Sequence, residues 1–373
     1  MKLIHLLTFI LAPFIFQAQI SPSKPQNIFI ITTDGFRWQE VFTGADSILI
    51  SSAKYTTDTA LTKDMYWDDS MEERRKKLMP FFWNVIAKKG QLYGNRLLNN
   101  RVNMKNVYKF SYPGYNELFT GFADYYLTPN AAINNRNVNI LEYLNAQPSY
   151  SGKVAAFSSW NIFPYILNED RSKLPVNSGY EMLTEDSLVT NQLINKVQEN
   201  ITTKKHTRYD MLTYLSAREY IKTQHPKVMF LGMGETDESA HGSRYDAYLQ
   251  QAAMFDKIIG ELWYFVQTDP FYKDNTTFII TTDHGRGNNA ASWNKHSPFT
   301  KGSGETWLAM IGPGITAWGE MKEKQQTYAN QLASTIAILL GVKFETSHPV
   351  AKPMILQKKI AGSGETTTAV SLY

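Results

Sequence analysis

Five short runs of mostly apolar, β-branched residues punctuate the chain, at Asn27–Thr33, Lys153–Ser158, Val228–Met233, Thr276–Thr282 and Trp307–Ile311, and most end in Gly, Asp or Thr. Near-continuous apolar runs of this length predict strands covered on both faces, as in a parallel sheet. Helical spacing of apolar positions fills the intervals, over Phe81–Lys89, Val138–Asn145, Tyr209–Thr223, Ala247–Gln267 and Tyr328–Leu340. Strand and helix in alternation predict an α/β fold: a doubly wound, mainly parallel central sheet flanked by helices. In such a fold ligands gather beyond the C-terminal ends of the strands.

Three stretches break the alternation. Residues 45–78 are polar and weakly periodic, dotted with Tyr55, Tyr66 and Trp67, and are expected to form a small insertion or lid beside the first strand. At the N-terminus, Lys2 precedes an apolar run from Leu3 to Phe16, with small Ala18 after it. This reads as a cleavable signal peptide over residues 1–19, and it implies a secreted or periplasmic protein. The run falls short of the ~20 apolar residues that span a bilayer, so no stable membrane anchor is expected. A single domain then occupies residues 25–345, followed by a C-terminal segment, 346–373, with a flexible Gly/Ser/Thr-rich tail.

Composition narrows the chemistry. Net charge is +4 over 373 residues, and the basic runs Arg74-Arg75-Lys76-Lys77 and Lys204-Lys205 are short. No basic stripe of the kind that binds a nucleic-acid polymer is evident. The chain has no cysteine, which removes disulfides, thiolate metal sites and a cysteine nucleophile; a metal site must use His and carboxylates.

Those residues cluster at the predicted strand ends. Phe29-Ile30-Ile31-Thr32-Thr33-Asp34-Gly35 recurs as Phe278-Ile279-Ile280-Thr281-Thr282-Asp283-His284-Gly285, each copy a strand delivering a carboxylate at its tip. Asp237 and His241, four apart after the strand ending at Met233, share a face if the segment is helical. His296 follows in Trp293-Asn294-Lys295-His296-Ser297. Imidazole and carboxylate are the donors that two zinc-like divalent ions accept, and a pair of ions about 4 Å apart holds both oxygens of an in-line displacement. Ser111 opens Ser111-Tyr112-Pro113-Gly114, with Pro and a later Gly121 as helix punctuation. The spacing predicts Ser111 at a helix N-terminus, either as a simple cap or as a nucleophile favoured by the dipole.

The ordered set Asp34, Ser111, Asp237, His241, Asp283, His284 and His296 resembles the alkaline phosphatase superfamily, nearest its type I phosphodiesterase/nucleotide pyrophosphatase branch. The resemblance implies that Asp237, His241 and His296 hold one zinc, and that Asp34, Asp283, His284 and Ser111 hold the second. It further implies that Ser111 attacks phosphorus and passes through a covalent seryl-phosphate. The nucleophile is Ser where the branch usually has Thr. Family members often carry an asparagine after the nucleophile that binds the phosphoryl oxygen; of Asn130, Asn134, Asn135 and Asn137, Asn135 is taken as the candidate.

Arg171 and Arg286 are candidate contacts for phosphate oxygens, or else ion pairs, and Trp67, Trp160, Phe163 and Tyr165 offer an apolar wall. The expected activity is hydrolysis of a small phosphate ester, monoester or diester. A sulfatase, a phosphoryl or phospho-alcohol transferase, and a catalytically silent secreted binding protein are the alternatives. The sulfatase motif needs an Arg where Tyr115 stands.

Overall fold

The computed structural model describes residues 24–184, 188–203 and 206–356. The expected signal peptide, the Lys204-Lys205 pair and the Gly/Ser/Thr-rich tail lie outside the described residues.

Among the described residues, eleven strands form in chain order: β1 (Asn27–Thr33), β2 (Gly90–Tyr93), β3 (Asn100–Asn103), β4 (Val154–Ser158), β5 (Val176–Ser178), β6 (Val228–Met233), β7 (Thr276–Thr281), β8 (Glu305–Thr306), β9 (Leu308–Ile311), β10 (Gly319–Glu320) and β11 (Gln325–Tyr328). Eight make one sheet in the order β10-β2-β9-β7-β1-β6-β4-β5, and β11-β3-β8 make a small second sheet. The block β7-β1-β6-β4-β5 is parallel throughout. Alternation along β1 shows why its apolar run is unbroken. Phe29 and Ile31 enter the core on one face with the helix Tyr245–Thr268, while Ile28 and Ile30 enter the core on the other with the helices Ser111–Thr120 and Leu332–Leu340.

One expectation needs correction. The run at 307–311 does not continue the parallel block: β9 is antiparallel to β7 and to β2. The chain between β7 and β9 stays at one end of the sheet with no helix to carry it back, and only an antiparallel pair can be closed that way. The segment 45–78, expected as a small insertion or lid beside the first strand, is helical. It folds into helices Ser47–Ile50, Thr59–Tyr66 and Met71–Leu78, capped by Asp46, Asp58 and Ser70. Its Tyr55 and Tyr66 are core residues beside the helix Tyr245–Thr268, and Thr57 N donates to Asp246 of that helix (2.9 Å). Trp67 lies under the Arg74 guanidinium, 4.3 Å from ring centre to carbon. Tyr55 and Tyr66 thus lie on the inner face of an outer helical layer.

Candidate metal centre and active-site serine

Strands β1 and β7 pair with Thr32 opposite Thr281, so Asp34 and Asp283 leave the sheet side by side. The tips are tied to each other. Gly35 N donates to Asp283 Oδ1 (3.0 Å) and Phe36 N to Thr282 Oγ1 (3.1 Å). Gly35 adopts φ +59, and a Cβ there would meet Asp237 Oδ1 at 2.8 Å and both Arg286 Nε and His284 Cε1 at 2.9 Å. Only glycine lets the backbone pass at this point.

On the other side of β1, β6 ends at Met233 and the helix Glu235–His241 begins at once. Asp210 fastens its start, accepting from Gly234 N (2.8 Å) and Glu235 N (3.1 Å). Thr236 Oγ1 donates to Asp34 O (2.6 Å), locking the helix to β1. On this helix His241 Nε2 lies 3.0 Å from Asp237 Oδ2, the shared face expected from the i, i+4 spacing.

Two triads result: Asp237, His241, His296 and Asp34, Asp283, His284, each with its donor atoms within 4.8 Å of one another. They abut, since the rings of His284 and His296 stack with centroids 3.9 Å apart. The second triad is fully buried, whereas the His241 side chain is 54% exposed, so the cluster opens to solvent on the His241 side. His284 Nδ1 faces Gly285 O (2.9 Å) and His296 Nδ1 faces Lys109 O (2.8 Å). A carbonyl accepts only from N–H, so each Nδ1 carries a proton and Nε2 is the ring atom each histidine turns toward the cluster.

The electrostatics show what such packing demands. Burial, with Asp34 adding, pushes the Asp283 carboxyl up to about 7. Burial opposes charge on His284, yet Asp283 and Asp34 together raise it to about 9. Burial lowers His296, with His284 and Arg286 reinforcing the shift, and burial also lowers His241. Asp283 Oδ2 is buried without a hydrogen bond, and the Nε2 atoms of His241 and His296 face each other at 3.1 Å. Two imidazole nitrogens brought to 3.1 Å and an unsatisfied buried carboxylate oxygen both suit divalent cations, and the N/O donor set suits a zinc-like ion. The residues present therefore fit two metal ions.

Ser111 stands at the first turn of the helix Ser111–Thr120, whose N-cap is Phe110 and carries no side-chain cap bond. Ser111 Oγ instead lies 3.3 Å from both Asp34 Oδ1 and His284 Nε2. It is not serving as a cap. The helix reaches the strand tip because Gly114 has no side chain: a Cβ there would stand 2.5 Å from Asp283 O. The preceding loop is held by the buried Glu117 carboxylate, which accepts from Lys105 N (2.6 Å), Asn106 N (2.8 Å) and Asn106 Nδ2 (2.9 Å).

The seven residues of the ordered set thus converge, but the substrate contacts read from sequence do not. Asn135 is buried, and its amide donates to Asn116 Oδ1 (3.0 Å) and Ile166 O (3.2 Å). Asn130 is the asparagine beside the serine, accepting from Tyr112 N (2.9 Å). Arg171 pairs with Glu142 (2.6 and 2.8 Å) and donates to the carbonyls of Arg136 and Asn137. Arg286 does reach the cluster, but from behind: it is buried and ion-paired with Asp237. Phe163 is a core residue against Tyr115 and Phe230. Thr236 and Asp210, which set the ligand helix, gave no signal in sequence, because their role exists only once β1 and β6 are paired.

Among solved structures, the fold is similar to wild-type alkaline phosphatase PafA, with TM-score 0.58 and 10% identity over 89% of this chain and 98% of that one. It is also similar to the lipoteichoic acid synthase LtaP from Listeria monocytogenes, with TM-score 0.56 and 12% identity over 86% of this chain and 73% of that one. No curated protein matches in sequence. Residues 51–354 match the family described as type I phosphodiesterase / nucleotide pyrophosphatase. The chain belongs to that family, and it is a hydrolytic enzyme of the alkaline phosphatase superfamily.

Proposed function

We propose that the protein is a secreted hydrolase of small phosphate esters, dependent on two zinc-like ions and acting through a covalent bond to Ser111. One observation carries this reading: the Ser111 hydroxyl touches Asp34 and His284 at a helix N-terminus instead of capping that helix. Asp237, His241 and His296 would hold one ion, and Asp34, Asp283 and His284, with Ser111, the other. Ions bound there supply Lewis acidity and stabilise charge on the attacking and leaving oxygens.

The protein's own groups do the rest. Asp34 Oδ1 accepts the hydroxyl hydrogen bond of Ser111, which orients an Oγ lone pair away from the carboxylate and toward an incoming phosphorus. The helix dipole behind Ser111 favours the anionic phosphoryl group. Attack forms the Oγ–P bond and breaks the bond to the leaving alcohol; water then cleaves Oγ–P and regenerates the serine. The half-exposed His241 side marks the open approach for substrate and water. The apolar leader at residues 3–16 makes export part of this reading.

Turnover of p-nitrophenyl phosphate, bis(p-nitrophenyl) phosphate and p-nitrophenyl sulfate by zinc-loaded protein tests it, with Ser111→Ala as control and mass spectrometry of acid-quenched enzyme. A phosphate ester should be turned over fastest, Ser111 should carry the trapped phosphoryl group, and the variant should lose both. Preferential sulfate turnover, or an unimpaired variant, would overturn it. Product formed on an added alcohol in place of free phosphate would identify a transferase. Recovery of leader-free protein from the exported fraction checks the location; full-length protein inside the cell would contradict it.

A further inference from the structure

The echo between the two strand tips extends beyond their aspartates. Thr32-Thr33-Asp34-Gly35-Phe36-Arg37 and Thr281-Thr282-Asp283-His284-Gly285-Arg286 each place an arginine three residues after the aspartate. With β1 and β7 in register, the two copies stand next to each other. Both arginines are buried, and each crosses to the other's loop. Arg37 Nη1 donates to Gly287 O (3.1 Å), and Arg286 Nε donates to Gly35 O (3.0 Å).

A buried guanidinium is costly unless its charge is met. Glu40 meets that of Arg37 with both carboxylate oxygens, and Tyr245 Oη in turn donates to Glu40 (2.9 Å). Asp237 meets that of Arg286. Arg286 also donates through Nη1 to Asn294 O (2.9 Å), two residues before His296, and through Nη2 to Asp237 O (3.4 Å). One side chain therefore touches the β1 tip, the helix bearing Asp237 and His241, and the loop that delivers His296. Neither Arg37 nor Arg286 is accessible to a substrate phosphate.

We propose that Arg37 and Arg286 form a reciprocal brace that fixes the spacing of the two ligand triads, both acting as positioning residues for the metal pair. Arg286 additionally keeps Asp237 aimed into its triad. The inference rests on the two-ion reading of the site. Fold stability alone does not account for the arrangement, since a well-packed apolar pair would serve that purpose at least as well. What the arginines add is a rigid fork that spans two loops, each carrying ligands.

Competition with a chromogenic chelator measures zinc affinity for wild type, Arg37→Lys, Arg286→Lys, Arg286→Gln and the double lysine variant, with circular dichroism and Tm recorded alongside. Each single substitution should weaken the more loosely held ion by about 10–100-fold and lower kcat with little change in KM. The double lysine variant should fall about as far as the worse single one, because either loss frees the same two loops. Affinities within about two-fold of wild type, or effects that simply add, would overturn the brace. If Arg37→Lys does not fold, Arg286→Lys decides the matter, since it keeps the positive charge opposite Asp237 and removes the fork. Wild-type protein that binds fewer than two ions would sink the two-ion reading itself; a wild type that binds two, with unaffected variants, would sink only the brace.

Discussion

Replacing Gly35 by alanine should damage stability and chemistry together, and the structure indicates by how much. At φ +59 a non-glycine residue in the left-handed region costs about 1–2 kcal/mol. The new methyl would lie 2.8–2.9 Å from Asp237 Oδ1, Arg286 Nε and His284 Cε1, where ordinary contact begins near 3.4 Å. Overpacking of that kind costs about 1–3 kcal/mol, for a total of about 2–5 kcal/mol. Relief requires at least one triad to move by roughly 0.5 Å, and since a misplacement of about 1 Å costs about 100-fold in rate, kcat/KM should fall about 10-fold or more. Gly152 provides the control: it also has positive φ, +67, with nothing within 4 Å of its absent Cβ. Gly152→Ala should cost only the backbone term, about 1–2 kcal/mol, and leave turnover intact. Urea unfolding followed by tryptophan fluorescence, with kcat/KM on a p-nitrophenyl ester, compares the two. Equal unfolding midpoints and equal activity in both variants would refute the idea that Gly35 threads between the triads.

Other outcomes follow from the same geometry. Asp256 accepts from Phe81 N and Phe82 N (2.8 Å each), and burial pushes its carboxyl up to about 7, above the unfolded value near 4. The folded state then binds the extra proton, so stability is lost as pH rises through that window, by about 2–3 kcal/mol between pH 5 and 8; Asp256→Asn should flatten that slope in urea titrations, and parallel slopes would contradict it. Glu117→Gln puts an N–H donor among three N–H groups and should lower stability by about 1–3 kcal/mol; an unchanged denaturation midpoint would show that the 105–109 loop is held otherwise. Arg171→Ala should lower Tm while leaving kcat/KM within about two-fold, because the side chain braces the 136–142 turn instead of touching substrate; a large loss of activity would restore it to the site.

The interior strands were legible because β1, β4, β6 and β7 are buried on both faces and so read as unbroken apolar runs. Short strands such as β5, β8, β10 and β11 were not, having two to four residues each and polar or mixed sequences. The direction of β9 depends on how the chain returns from β7, which no local pattern encodes. Convergence of Asp34, Asp237, His241, Asp283, His284 and His296 was readable because parallel strands deliver their C-terminal residues to one edge. Side chains further from the strand tips were misjudged. Asn135 and Asn130 look alike in sequence, and only the folded loop shows which one is occupied in the core and which one meets the Ser111 helix. For Arg286 the sequence leaves a phosphate contact and an ion pair open, and the fold settles on the ion pair: it meets Asp237 and the carbonyls of Gly35 and Asn294 from a buried position.

The most direct test of the central claim is the metal content of the purified, extensively dialysed protein, measured by elemental analysis beside Asp34→Asn and His296→Ala. Six side chains arranged as two triads predict two divalent ions per chain in the wild type, and a reduced complement in each variant as one triad is broken at a time. An active wild type with no bound metal, or variants that keep the full complement, would contradict the account.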